Sequence, residues 1–150
     1  MKTVRLSYVE YETASLARDK GYREWCSAYY ETAMQDVFVD EDGDECVDGE
    51  LAIPKGYTEI VYGNHRNAET EDADAEWTTC SAPTQAGLQR WLREIHNIQV
   101  YAYSHTKVNG KWIHYIAVVD VVSLNDARDE EFETYEEALE VGLHYALNRI

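Results

Sequence analysis

Apolar residues recur at helical spacing in the segment that follows Pro83. The positions at i, i+3, i+4 and i+7 are Leu88, Trp91, Leu92 and Ile95. This stripe predicts a helix over 84–96 that begins near the hydroxyls of Ser81 and Thr84 and ends at Asn97. The polar residues of the segment are expected to face solvent: Gln85, Gln89, Arg90, Arg93 and Glu94.

The last part of the chain has a second helical pattern. Thr134 and Glu137 match a capping box, in which each side chain bonds the backbone amide of the other residue. Apolar and small residues then recur at spacings of three and one: Tyr135, Ala138, Leu139, Gly142, Leu143, Ala146, Leu147 and Ile150. The pattern predicts a helix that lies on a core, with Glu136, Glu137 and Glu140 in water.

Two β-rich runs lie between these helices and are joined by Asn109-Gly110. Asn-Gly favours a two-residue hairpin turn because both central residues take a positive φ. With this turn, four facing pairs are predicted: Tyr101 with Val118, Tyr103 with Ile116, His105 with His114, and Lys107 with Trp112. The opposite face is the predicted core face, with Ile98, Val100, Ala102, Ile113, Tyr115, Ala117, Val119 and Val121.

The first half of the chain is patterned more weakly. Ser7 and Glu10 match a capping box and Gly21 a helix stop, which predicts a helix over 8–20. Short strands are predicted at 27–30, 37–39 and 60–62, and Asp42-Gly43 predicts a turn that pairs 37–40 with 45–48. The elements together predict an α+β fold in a single domain over 1–150. We expect an antiparallel sheet with two or three helices packed on one face, and an α-β-β-α order in the C-terminal half.

The charge of the chain narrows the classes of partner. With 13 Lys and Arg against 29 Asp and Glu, the net charge is −16, which disfavours direct binding to nucleic acids and to anionic membranes. Residues 1–75 contain 7 basic and 18 acidic side chains, so most of the excess lies in the first half. Two acidic segments, 40–50 and 69–76, lack hydrophobic periodicity and are predicted to be loops.

Cysteine usage and the N-terminus bear on location. Cys26, Cys46 and Cys80 are far apart and form no CxxC pair, which is typical of free thiols in a reducing cytoplasm. No stretch resembles a signal peptide or reaches 18 apolar residues. A cytoplasmic protein is therefore expected.

Few residues are candidates for chemistry. The predicted pairing of His105 with His114 makes them weak candidates for metal ligands, but two imidazoles alone do not define a zinc site. The acidic run that starts at Asp40 fails the EF-hand spacing, since Leu51 stands where a bidentate Glu is needed. Nucleotide-binding and hydrolase motifs are missing from the sequence. We therefore predict no catalytic residue and no cofactor, and we lean towards a protein that is not an enzyme.

Two stretches carry a resemblance to a known family. They read APTQAGLQRWLRE over 82–94 and YEEALEVGL over 135–143, and a helix followed by Lys-Gly-Tyr over 14–22 adds to them. The chain resembles a family of short uncharacterised proteins of bacteriophages and prophages of gut Bacteroides-type bacteria, with the pattern APTxxxxxxWLRE and YEEALExGL. The resemblance covers about half of the chain and implies a phage accessory protein, without an established activity to carry over. It also implies architectural roles for Trp91, Leu92, Leu139 and Leu143.

Three hypotheses about function follow. The first is a non-enzymatic protein that acts by contact with an unidentified protein partner, host-encoded if the chain comes from a phage. Its candidate partner-binding residues are Tyr101, Tyr103, His105, Trp112, His114, Arg93 and Glu94. The second is an acidic DNA mimic that inhibits a host nuclease or repressor. The third is a small enzyme or metal-binding protein that uses His105 and His114. A monomer or a homodimer is expected.

Overall fold

The computed structural model describes residues 6–33, 37–39, 41–43, 45–47, 58–68, 77–120 and 124–150. The helices in these ranges are α1 (Tyr11–Asp19), α2 (Gln85–His96) and α3 (Tyr135–Leu147). The strands are β1 (Cys26–Ala33), β2 (Val37–Val39), β3 (Glu45–Val47), β4 (Thr58–His65), β5 (Trp77–Ser81), β6 (Gln99–Val108), β7 (Lys111–Val119) and β8 (Leu124–Phe132). The α+β class is confirmed. In the described ranges, no helix combines the length and apolar character that crossing a membrane requires.

The strands are divided among several sheets instead of forming the single sheet expected. The described residues form two three-stranded antiparallel sheets, with the orders β4-β1-β5 and β6-β7-β8, and a two-stranded sheet of β2 and β3. In the last of these, Val37 pairs with Val47 and Val39 with Glu45, around Gly43 with a φ of 85°. The hairpin predicted from Asp42-Gly43 is therefore confirmed.

α2 and α3 begin as the sequence predicts. The side-chain oxygen of Thr84 accepts a hydrogen bond from Gly87 N at 3.0 Å, and that of Thr134 accepts from Glu137 N at 3.1 Å. These bonds satisfy amides that have no partner within the helix. Asn97 ends α2 in the left-handed conformation, with a φ of 55°.

α1 starts later than predicted. The helix begins at Tyr11, and the side chain of its N-cap residue, Glu10, makes no capping hydrogen bond. Residues 7–9 are instead held against the start of α2: Gln85 N donates to Ser7 O at 2.8 Å, and Val9 N donates to Pro83 O at 3.0 Å. The predicted capping box is wrong because this segment uses its backbone groups in tertiary contacts.

α3 lies at the centre of the molecule, where it contacts α1, α2, β6 and β7. The core around it comprises Val9, Ala14, Ala17, Tyr22, Cys26, Cys80, Leu88, Trp91, Leu92, Ile98, Val100, Val118, Leu139, Leu143, Ala146 and Leu147. Gly142 allows the close approach to the sheet, since a Cβ there would lie 2.9 Å from Val100 Cγ1. α2 and α3 each bury their predicted apolar stripe against this core. Three residues at the ends of the two stripes are exposed: Ile95, Tyr135 and Ile150.

The C-terminal half contains one strand more than predicted. β8 follows β7 and pairs with it, so the order is α-β-β-β-α. The strand has the sequence LNDARDEEF. Most of its residues are polar, so it lacks the alternation of apolar and polar residues by which strands are recognised. β5 was missed as well, because it directly follows an acidic segment.

A β-bulge changes the predicted register of the β6–β7 hairpin. Lys107 faces Trp112 as predicted, but the register shifts between Ser104 and Thr106, and Ser104 instead of His105 faces His114. Because β6 has one extra residue at the bulge, every β6 side chain beyond it shares a face with the β7 side chains that were predicted to lie on the opposite face. The core face of β7 therefore carries Ile116 and Val118. Of the residues predicted there, Tyr115 is buried on the opposite face, whereas Ile113, Ala117 and Val119 are only half-buried. The predicted core residue Val121 lies outside the described residues.

Candidate binding groove

The bulge divides the predicted aromatic surface between two faces. Tyr103 now pairs with Tyr115, and their rings stack with centroids 5.8 Å apart. The ring of His105 lies 4.8 Å from that of Tyr115, so these rings share a face, and Tyr101 belongs to the same alternation. Trp112 belongs to the other alternation, where Lys107 Nζ lies 5.0 Å from its ring centroid. The candidate residues Tyr101, Tyr103 and Trp112 therefore do not form one surface.

The two candidate metal ligands are separated in the same way. His105 bonds Thr106 Oγ1 through Nδ1 at 2.6 Å, whereas the ring of His114 lies 6.5 Å from that of Tyr135, on the side of α3. The predicted His105–His114 pair is therefore wrong. Throughout the described ranges, no three His, Cys, Asp or Glu side chains are grouped to hold a metal ion.

The remaining candidates, Arg93 and Glu94, are exposed on α2. Glu94 lines a small cavity of about 60 Å³ together with Glu24 and Arg90. The other candidate residues belong to β6 and β7.

A groove of about 820 Å³ lies between the segment before α1, the middle of β4 and the first turns of α3. Its lining residues are Leu6, Ser7, Tyr8, Glu10, Tyr62, Gln85, Glu136, Glu137 and Glu140. We call this cavity the acidic groove, since four of these side chains are carboxylates and, among the described lining residues, none is basic.

The segment before α1 is held in place as one wall of the acidic groove. Tyr30 Oη donates to Val9 O at 2.6 Å, and Tyr8 Oη is bonded to Ser27 Oγ at 2.9 Å. Burial raises the pKa of Tyr30 to about 12, with a further contribution from Glu140, so its hydroxyl stays protonated at neutral pH. Together with the backbone bonds to α2, these contacts give the wall a defined position.

Glu140 is the fixed carboxylate of the acidic groove. Its Oε1 accepts a hydrogen bond from Glu10 N at 2.9 Å, and its Oε2 accepts from Gln85 Nε2 at 3.2 Å. Gln85 is only 6% exposed and also donates to Glu136 O at 2.8 Å. The expectation that Gln85 faces solvent is therefore wrong. Because its oxygens are already oriented, Glu140 can bind a cation with little further loss of side-chain freedom.

Apolar and aromatic side chains complete the groove. The rings of Tyr8 and Tyr62 meet edge to face with centroids 6.0 Å apart. Tyr62 is 72% exposed and Leu6 is 56% exposed, so both side chains are accessible to a ligand in the groove. Aromatic faces next to carboxylates suit a ligand with a cationic end and an aliphatic stem.

A second cavity lies farther along α3. This cavity of about 320 Å³ shares Glu10 and Glu140 with the acidic groove and adds Glu12, His144 and Tyr145. His144 Nδ1 lies 3.3 Å from Thr13 Oγ1 and helps to join α1 to α3. The two cavities are thus neighbours along the helix, with Glu10 and Glu140 between them.

A serine–histidine contact elsewhere in the chain invites comparison with an active site. His65 Nδ1 lies 2.7 Å from Ser81 Oγ, and its Nε2 lies 3.0 Å from Thr79 Oγ1. Ser81 is fully buried, however, and its backbone amide bonds Asn67 Oδ1, so a substrate has no access to this hydroxyl. Burial lowers the pKa of His65, and the ring stacks on Tyr29. The contact joins β4 to β5 across the sheet.

The two thiols that the structure describes are both buried. Cys26 and Cys80 are buried and are not joined in a disulfide. Burial raises the pKa of Cys26, which disfavours the thiolate that a nucleophile requires. The side chain of Cys46 lies outside the described residues.

Sequence reasoning named the carboxylates and Gln85 of the acidic groove, but it did not identify Leu6, Tyr8 and Tyr62 as site residues or predict that these side chains meet. The pattern correctly put Glu136 and Glu137 in water in the first turn of a helix, and it treated Glu10 as part of a cap. Glu140, which was also expected in water, is half-buried and accepts two hydrogen bonds. The burial of Gln85 and the packing of residues 6–10 against α2 depend on tertiary contacts, for which the local sequence has no signal.

No protein-family model, curated protein or solved structure matches the chain.

Proposed function

We propose that the protein is a non-enzymatic binding protein that takes up a basic segment of a partner protein in the acidic groove. The observation that carries the proposal is the placement of four carboxylates, one of them fixed by two hydrogen bonds, around an aromatic-lined groove. A lysine or arginine side chain would meet carboxylates at its charged end and Tyr8, Tyr62 or Leu6 along its stem.

The charge of the whole chain supports the same partner chemistry. A net charge of −16 attracts a basic segment over a distance of several ångströms and speeds its encounter with the groove. Such steering weakens as salt shortens the range of the field. Binding is therefore expected to be faster and tighter at low ionic strength.

The biological setting is a separate proposal. If the chain is a phage accessory protein, as its resemblance implies, the basic segment belongs to a host protein in the infected cell. The DNA-mimic hypothesis stays a prediction, since most of the acidic segments 40–50 and 69–76 lie outside the described residues.

The proposal is tested by the binding of a fluorescein-labelled arginine-rich peptide, followed by anisotropy at two salt concentrations. The variant E136Q/E137Q neutralises two exposed carboxylates of the groove, and we expect it to weaken binding about 5-fold, since exposed ion pairs contribute about 0.2–1 kcal/mol each. The matched control is E130Q/E131Q, which removes the same charge from exposed positions that do not line the groove.

Two results would contradict the proposal. One is a peptide affinity that E136Q/E137Q leaves unchanged. The other is an equal loss in E136Q/E137Q and E130Q/E131Q, because this would attribute binding to net charge alone. Far-UV circular dichroism of both variants checks that the helical content is retained.

A further inference from the structure

We infer that the acidic groove recognises an extended segment with basic residues at alternate positions. The inference rests on the proposed function and concerns the pattern of charges that the groove selects. It follows from the spacing of the carboxylates along α3 and from the one carboxylate whose position is fixed.

The carboxylates of α3 have a regular spacing. Glu136 and Glu140 are four residues apart in the helix, so they lie on one side of it and are separated by about 6 Å along its axis. Both line the acidic groove, and Gln85 contacts both residues, through Glu136 O and Glu140 Oε2. Glu136 and Glu140 thus line the acidic groove from the same side of α3, and we call these two residues the row.

An extended peptide presents side chains with nearly the same repeat. Its residues rise by about 3.3 Å each and alternate between faces, so side chains at i and i+2 share a face at about 6.6 Å. Basic residues at alternate positions therefore meet Glu136 and Glu140 together. Neighbouring basic residues point to opposite faces, and only one of them can reach the row.

The combined extent of the two neighbouring cavities favours an extended segment over a compact cation. The cavity of about 820 Å³ and the cavity of about 320 Å³ follow one another along α3 and share Glu10 and Glu140. A single small amine would occupy one end and leave the remaining carboxylates without a counter-charge. A segment of several residues neutralises the whole row and covers the exposed Tyr62 and Leu6.

Two capped peptides of equal composition and charge test the inference: RGRGRGR, with arginines at alternate positions, and RRGGGRR, with no two arginines at that spacing. We expect the alternating peptide to bind at least about 3-fold more tightly in anisotropy measurements at low salt. The measurements use the full wild-type chain and a K2A/R5A variant of it. Lys2 and Arg5 precede the groove residue Leu6 in the sequence and have the same positive charge as the arginine peptides, so the variant removes them as competitors of the peptides.

Single variants locate the preference. E136Q removes one end of the row and should make the affinities of the two peptides equal. E137Q, one position off the row, should weaken both peptides and leave their ratio unchanged. A preference that survives E136Q would overturn the inference.

The outcomes separate this inference from the proposed function. Equal affinities of the two peptides for the wild-type chain, with binding still weakened by E136Q/E137Q, would overturn the spacing and leave the basic partner in place. Failure of both peptides to bind, in wild type and in K2A/R5A, would overturn both.

Discussion

Replacement of Gly142 by alanine tests how closely α3 packs on the sheet. The added Cβ would lie 2.9 Å from Val100 Cγ1 and 3.5 Å from Ile116 Cγ2. Val100 is 1% exposed, so its methyl group has no free space to move into. Overpacking of this kind costs about 1–3 kcal/mol, whereas alanine gains about 1 kcal/mol of helix propensity over glycine. We expect G142A to lower the free energy of unfolding by about 1 kcal/mol.

A double-mutant cycle shows whether Val100 causes this loss. V100A alone should cost about 2 kcal/mol through the cavity it creates. In G142A/V100A the new methyl group fills part of that cavity, so the two effects should be less than additive, with a coupling of about 1 kcal/mol. Urea unfolding followed by circular dichroism measures these differences as midpoint shifts of about 0.5 M for G142A and about 1 M for V100A. Stabilisation by G142A, or strict additivity, would refute the close packing.

Three further predictions concern single side chains. T134A should destabilise the fold by about 1 kcal/mol because Glu137 N loses its acceptor, and T134S should restore most of the loss in the same urea assay. Folding raises the pKa of Tyr30 from 10.0 to about 12, so the contribution of its hydroxyl to the free energy of unfolding is complete below pH 10 and is lost as the pH rises towards 12. Y30F should therefore reduce the loss of stability at alkaline pH, measured by urea unfolding. Cys26 should react with an aromatic disulfide reagent only upon unfolding, and a rapid reaction of the native protein at Cys26 would contradict its burial.

Local chemistry explains which parts of the fold were predictable. Thr84, Asn97 and Thr134 act through groups within four residues of themselves, so their roles follow from the neighbouring sequence. The same holds for the turn at Gly43. β8 could not be predicted because it is defined by its pairing with β7, which is distant from any local signal, and its polar sequence does not indicate a strand.

The bulge at residues 104–106 shows how one residue limits functional prediction. The turn at Asn109-Gly110 formed as expected, and the register near it was correct up to Lys107 and Trp112. The extra residue then reversed the faces, which separated His105 from His114 and divided the aromatic candidates. Nothing in the strand sequence marks this bulge, because glycine, its commonest signal, is missing there. A predicted site that spans a hairpin depends on every residue between the site and the turn.

The acidity of the chain acquires a second meaning from the position of α3. Acidic residues in a first helical turn are favourable because they complement the positive end of the helix dipole, by about 0.3–1 kcal/mol each. Glu136 and Glu137 lie in the first turn of α3, so the helix dipole alone explains why acidic residues are favourable at these two positions. The rule does not explain Glu140, which lies beyond the first turn and is bonded from Glu10 and Gln85. A carboxylate that two other segments of the chain hold in a groove lined by two tyrosines belongs to a tertiary arrangement, and this arrangement is the basis for proposing the groove as the interaction surface.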